Sequence, residues 1–217
     1  MYRRILVGVV AQGQTRDFLS AMREANTFQT ERGIRARTAV WGAMTGQNNS
    51  VVIVADFNTL EDLEKWTDLA TEDSRFAIVR REVRSAMIYE DSEVSILRLA
   101  YHSEGLMTSE DATAPRKYMR VLHGDVKPGS HREFVLSVSV ALDYQKQRGI
   151  DAHTSVWSKM TGHTSGVSIV AEFDSLGELE KFDEMAVTDA EFGRLRAATR
   201  ASMVFLTSET QLMRNLM

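Results

Sequence analysis

The feature that most restricts this chain is that it repeats itself. Shifted by about 116 positions, the sequence matches its own second half without a gap, and roughly 38 of about 100 aligned pairs are identical. YRRILVGVV from Tyr2 falls on YMRVLHGDV from Tyr118, RGIRARTAVWGAMTG from Arg32 on RGIDAHTSVWSKMTG from Arg148, and VVIVADFNTLEDLEKW from Val51 on VSIVAEFDSLGELEKF from Val167. The period is too long for a solenoid, and each copy is large enough for a core of its own. The reading is a first module over 1–100, a linker over 101–117 and a second module over 118–217. The linker, from Tyr101 to Lys117, is polar and acidic and contains Pro115.

Within each copy the order of elements is legible. Ile5 to Val10 is β-rich and stops at Gln12-Gly13. Phe18, Met22 and Ala25 then recur at helical spacing, and Gly33 and Gly149 stand where a helix C-terminus is expected. Two strands follow, near Ile34–Met44 and Val51–Phe57, around a hairpin-like loop from Thr45 to Ser50. Asn58-Thr59 and Asp174-Ser175 offer caps for a second helix, a shorter helical stretch covers about Asp73–Arg84, and a last strand runs from about Ala86 to Leu97. The order β-α-β-β-α-β is ferredoxin-like. Such a sheet carries helices on one face only and leaves the other in need of a cover. The expected fold class is α+β: two tandem ferredoxin-like (βαββαβ) modules packed sheet to sheet as a pseudo-symmetric α+β barrel. One chain would then be an intramolecular pseudo-dimer, with the outer helices free for any homo-oligomer.

Strand parity separates retained from diverged positions. Tyr2/Tyr118, Arg4/Arg120, Leu6/Leu122, Gly8/Gly124 and Val10/Val126 share one face, because side chains alternate along a strand. On the other face Val7 has become His123 and Val9 has become Asp125. Val51, Ile53, Ala55 and Phe57 are all retained, which marks the helix-packed face of their strand.

Composition narrows the function classes. An apolar fraction of 43% with 26% charged residues is that of a globular chain, and a net charge of −4 with scattered basic residues offers no footprint for nucleic acid. No apolar run is long enough to span a membrane, and the start MYRRILVGVV lacks a cleavage pattern. There is no cysteine, which removes disulfides and thiolate chemistry and fits a cytoplasmic protein. No phosphate loop, dinucleotide fingerprint, nucleophile elbow or metal-spaced histidine pattern occurs.

The strand ending in Ala55-Asp56-Phe57 or Ala171-Glu172-Phe173, the following Leu60-Glu61-Asp62-Leu63, the aromatic Trp66 or Phe182, and Phe76 or Phe192 one helix later together resemble the dimeric α+β barrel superfamily. That group takes in antibiotic-biosynthesis-type monooxygenases, NIPSNAP-like domains and stress-responsive barrel domains. The resemblance covers nearly the whole chain, once per half. It implies a small hydrophobic or aromatic molecule as ligand and a cofactor-independent, monooxygenase-like activity, or else a non-catalytic binding or structural role. In the haem-degrading branch a histidine follows the second aromatic by one helical turn; here Arg80 and Arg196 stand at that position, and Leu6 and Leu122 stand near the branch's strand asparagine. The expectation is therefore no cofactor and no metal. Trp66 matches the helix tryptophan of the oxygenase-type members, in the first half only.

Candidate site residues fall into three groups. Trp41 and Trp157, with Met44 and Met160 in the repeated V-W-x-x-M-T-G segment, can wall a pocket for a flat apolar ligand, or can simply fill a seam between sheets. His123 and Asp125 share a strand face and can form an acid/base couple, or an ordinary surface pair; with Trp66 they are the catalytic candidates. His153 lies on a strand separated from theirs by one, too far to grip one ion with both. Among the arginines, Arg80/Arg196 and Arg84/Arg200 are retained, whereas Arg3, Arg35 and Arg37 occur only in the first half. Arg37 is the candidate for a forked contact with a substrate carboxylate or phenolate, and salt bridging is the competing role. The ligand-binding candidates are thus Trp41, Trp157, Arg37, His153, Met44 and Met160.

Overall fold

A computed structural model describes residues 1–47, 49–104 and 115–217, and the side chains of all of these except 89–92 and 205–208. Asn48 of the expected hairpin loop and residues 105–114 of the expected linker lie outside the described residues. The first copy runs β1 (Tyr2–Val10), α1 (Thr15–Glu31), β2 (Ala36–Ala43), β3 (Ser50–Phe57), α2 (Leu60–Glu72), α3 (Ser74–Ser85) and β4 (Met87–His102). The second runs β5 (Tyr118–Val126), α4 (His131–Gln147), β6 (His153–Lys159), β7 (Gly166–Phe173), α5 (Leu176–Thr188), α6 (Ala190–Ala201) and β8 (Met203–Asn215). Both are the βαββαβ order expected from the repeat, and the fold class is α+β.

The chain forms two compact units whose membership is interleaved. The first unit holds Met1–Leu97 together with Met213–Met217, and the second holds residues from Arg98 to the end of β4 together with Pro115–Leu212. In the first unit the strand order is β4-β1-β3-β2, followed by the end of β8. Tyr2 pairs with Phe57 and Gly8 with Val51 between β1 and β3, and Ala43 pairs with Met213 at the outer edge of β2. In the second unit the order is β8-β5-β7-β6, followed by the end of β4. Ser103 N–H donates to the Thr154 carbonyl there at 2.9 Å.

Helix termini follow local chemistry. Thr59 makes a capping box with Asp62, and Ser175 accepts from the Glu178 N–H. Asp73 and Asp189 cap α3 and α6 by accepting from the backbone of Phe76 and Phe192. Gly33 follows the C-cap of α1 at φ 71°, a left-handed geometry that glycine adopts without steric cost.

Each unit packs its helices on one face of its sheet. Phe18 and Met22 of α1 meet Val40, Val51 and Ile53, and a second cluster joins Phe28 and Ala25 to Phe76 and Val79 of α3. The second unit repeats this with Phe134 and Val138 against Val156 and Val167, and with Phe173, Phe192 and Leu195 around Ala141. On the helix-free faces Trp41 is 2% exposed and Trp157 0%. Among the described residues no helix is long and apolar enough to cross a membrane.

Candidate functional site: paired cavities under the helices

Where the helices of each unit leave the sheet incompletely filled, a cavity remains. In the first unit it has a volume of about 80 Å³, in the second about 270 Å³. All fourteen residues lining the first have their repeat counterparts lining the second, which adds Leu142 and Thr210. Eleven of the fourteen pairs are identical, against roughly 38 of about 100 along the whole repeat. The three exceptions explain much of the difference in size. Met22 gives way to Val138, Trp66 to Phe182 and Val83 to the near-isosteric Thr199. The first two remove side-chain volume, and a close-packed interior relaxes only partly to fill it.

The floor is apolar strand surface, Leu122, Ile169 and Ala171, facing Val138 and Ala141 of α4 and Phe192 of α6. Three arginines also reach it: Arg120 from β5, and Arg196 and Arg200 from consecutive turns of α6. Arg120 donates to Asp183 at 2.8 Å and lies 5.1 Å from the centre of the Phe182 ring. Arg196 makes a long 3.5 Å contact to the Ala186 carbonyl and lies 5.9 Å from the Phe192 ring centre. Burial, and then the neighbouring Arg200 and Arg120, hold the Arg196 guanidinium below its usual range.

In the first unit the matching Arg4 and Arg80 stand 4.8 and 5.1 Å from the Trp66 ring centre, and Arg84 lines the same cavity. Trp66 is edge-on to Phe57 and Phe76, at 6.3 and 6.5 Å between ring centres. Among the described residues its Nε1 and the Thr38 Oγ1 are buried without a hydrogen-bond partner, and both residues line the cavity.

The other candidates from the sequence are placed elsewhere. His123 and Asp125 lie on the helix-free face of β5, where His123 Nδ1 is 2.9 Å from Ser168 Oγ and Asp125 accepts from Ser165 Oγ at 3.0 Å. Trp41 and Trp157 share that kind of face, and Trp157 Nε1 donates to Ser155 Oγ at 2.8 Å. Met44 and Met160 are 46% and 42% exposed beside the hairpin loops. Arg37 stands opposite Asp56 in the β2–β3 register, and Asp56 is held by Arg3. His153 Nε2 is 2.8 Å from Glu104 Oε1 in a separate polar cleft of about 90 Å³. Of the nine, only Trp66 lines one of the paired cavities.

The cavity arginines were visible in the sequence as pairs retained at the repeat offset, Arg4/Arg120 on the conserved strand face and Arg80/Arg196 and Arg84/Arg200 on one helix face. What the sequence did not carry was that these two faces converge.

No histidine, aspartate, glutamate, tyrosine or lysine lines either cavity among the described residues. The arrangement can therefore desolvate an apolar body and hold an anion, but the lining offers no proton acceptor of its own. Haem is carried by histidine, cysteine, tyrosine or a methionine–histidine pair; of these the linings supply only Met22, Met87 and Met203, with no histidine beside them, so the residues present do not fit it. No group of three or more metal-ligating side chains occurs among the described residues.

The chain shares its fold with several solved structures. A structure from Lactobacillus acidophilus, provisionally described as a monooxygenase, aligns over 99% of this chain and 93% of its own, with a TM-score of 0.67 and 10% identity. A similarly described protein from Fusobacterium nucleatum aligns over 100% and 92%, with a TM-score of 0.69 and 9% identity. An anthrone oxidase-like protein aligns over 100% and 91%, with a TM-score of 0.63 and 11% identity. At these identities the likeness concerns the fold. No family model and no curated protein matches the chain.

Proposed function

We propose that this chain is an enzyme of the cofactor-independent, monooxygenase-like α+β barrel type, and that it takes a small hydrophobic, aromatic molecule into the cavity of its second unit. The observation that carries this reading is that cavity: about 270 Å³, apolar, and rimmed by three arginines that the repeat retains. The volume equals roughly nine waters at about 30 Å³ each, which suits a body of two or three fused rings at most. In chemistry of this type the substrate supplies the electrons, so the protein's part is to bind, exclude water and stabilise an enolate or phenolate. Arg120, Arg196 and Arg200 are placed for the last task. In the first unit the Trp66 Nε1, which has no hydrogen-bond partner among the described residues, offers a donor to an acceptor entering the smaller cavity.

Anthrone is the first compound to try, because one structural neighbour is described as anthrone oxidase-like. Its oxidation consumes one dioxygen and yields anthraquinone and water. Full-length protein with anthrone should take up dioxygen above the uncatalysed rate, and a V138M/F182W variant, which rebuilds the first unit's tighter lining, should lose that excess. A second reading, a non-catalytic binding protein, is favoured by the missing proton acceptor in the lining. Native mass spectrometry showing a retained aromatic ligand, together with no dioxygen uptake across a panel of phenols, would select it.

A further inference from the structure

We infer that the ligand of the second unit's cavity carries a carboxylate, and that Arg196, flanked by Arg120 and Arg200, is its anchor. This rests on the reading that the cavity is a ligand site, and it adds the chemical class: anthrone, which has no carboxylate, then serves as a bare-ring probe of turnover and not as the ligand itself.

The argument begins with charge. Arg196 is half-buried and its surroundings supply little to a cation. Among the described residues it has no carboxylate within ion-pair distance, since the nearby Asp183 is engaged by Arg120 at 2.8 Å. Its one hydrogen-bonding contact, to the Ala186 carbonyl, is long at 3.5 Å, although a guanidinium has five donors to satisfy. Two further arginines line the same cavity, Arg120, which is paired with Asp183, and Arg200 one turn on along α6. Burial, and then the neighbouring Arg200 and Arg120, weaken the Arg196 cation. An anion seated against the fork would offset both penalties.

The copy in the first unit sharpens the point. There the indole of Trp66 stands within 4.8 and 5.1 Å of two of the three arginines, an aromatic face that partly satisfies them, and the remaining space is only about 80 Å³. In the second unit Phe182 is smaller and the space opens to about 270 Å³ beside the same three cations. An apolar chamber with a cationic wall fits an aryl monocarboxylate. A planar carboxylate matches the guanidinium fork, and the ring fills the space over Leu122 and Ile169.

The test is calorimetric titration of the full-length chain with 2-naphthoate and with its neutral analogue 2-naphthamide, at low and high salt. The expected result is naphthoate binding at least about tenfold tighter than the amide, a gap that narrows with salt because screening weakens the charged contact. R196Q should bring the two probes close to parity, and R200Q, at an exposed position, should narrow the gap without disturbing the fold. The cavity-filling V138M/F182W variant should abolish both. If naphthamide binds as tightly as naphthoate and V138M/F182W still removes both, the site is real and the carboxylate inference is wrong. If naphthoate binding survives V138M/F182W, or neither probe binds, the cavity is not the ligand site and both readings fall. Should R196Q not fold, the salt dependence, the amide comparison and R200Q still decide.

Discussion

At the scale of single residues, the two copies solve the same position in different ways. In the first unit Arg3 and Asp56 form a forked pair at 2.6 and 2.9 Å, 5% and 1% exposed, on the helix-free face. At the matching register in the second unit stand Met119 and Glu172, and Glu172 accepts instead from the Arg116 backbone N–H at 3.2 Å. Removing one partner of a buried pair leaves an uncompensated charge, so R3M should cost about 3–5 kcal/mol in urea unfolding. R3M/D56V should recover much of that. A loss below about 1 kcal/mol for R3M would mean that Arg37, opposite Asp56 in the register, takes over the carboxylate. The sequence showed that Arg3 and Arg37 are peculiar to the first half; it could not show that they flank one buried aspartate, because pairing across strands is set by register.

The cap aspartates give a pH prediction. Asp73 and Asp189 are held below the usual carboxylate range, first by the backbone N–H groups of Phe76 and Phe192 that they accept from; Arg32 adds to this at Asp73, and Tyr144 and Arg148 at Asp189. A depressed carboxylate contributes stability that is fully present above its unfolded pKa of about 3.9 and is lost as pH falls through the lower folded value. D73N/D189N keeps a capping side chain but removes the titration. Its urea midpoint should therefore depend less on pH below about pH 4 than that of the native chain, with the two curves parallel above it. Equal slopes in acid would show that other carboxylates dominate there.

At the scale of elements, apolar periodicity, cap residues and turn glycines together located the strands and helices of the first copy, and the repeat carried them to the second. The cavities were not legible in this way. They arise from small differences in side-chain volume between helices and sheet, which periodicity does not register. Their identity as copies yields a reciprocal prediction. M22V/W66F should enlarge the first unit's cavity, destabilise that unit by creating space, and give it measurable affinity for 2-naphthoate, since Arg4, Arg80 and Arg84 are already in place. A stable double variant with no new binding would mean that the arginines are not set for an anion in that copy.

At the scale of the whole chain, the sequence predicted two modules in tandem, and the repeat aligns without regard to which strand end completes which unit. The first unit is completed by Met213–Met217: Leu216 N–H donates to the Val40 carbonyl at 2.9 Å, and Leu216 packs where a side chain at Gly42 would meet it at 3.0 Å. An exchange of strand ends leaves the pattern of each copy unchanged, which is why sequence alone is silent about it. Deleting Met213–Met217 should speed hydrogen exchange along β2, more than 150 residues away in the chain, while leaving β7 protected. Unchanged protection of β2 would show that its edge does not depend on the tail.

That dependence has a consequence in time. Synthesis runs from the N-terminus at about 5–20 residues per second, and the five residues that close the edge of β2 are made about 115 residues after Leu97, so the first unit waits roughly 6–23 s for its last piece. During that interval β2 presents unpaired backbone donors and acceptors in the manner of any open strand edge. The second unit, whose borrowed strand end is made before the rest of it, has no such wait. Two copies nearly alike in architecture thus differ in the hazard of being made: the earlier copy stays open to wrong partners longest, and an arrest of translation anywhere before Met213 leaves it unfinished.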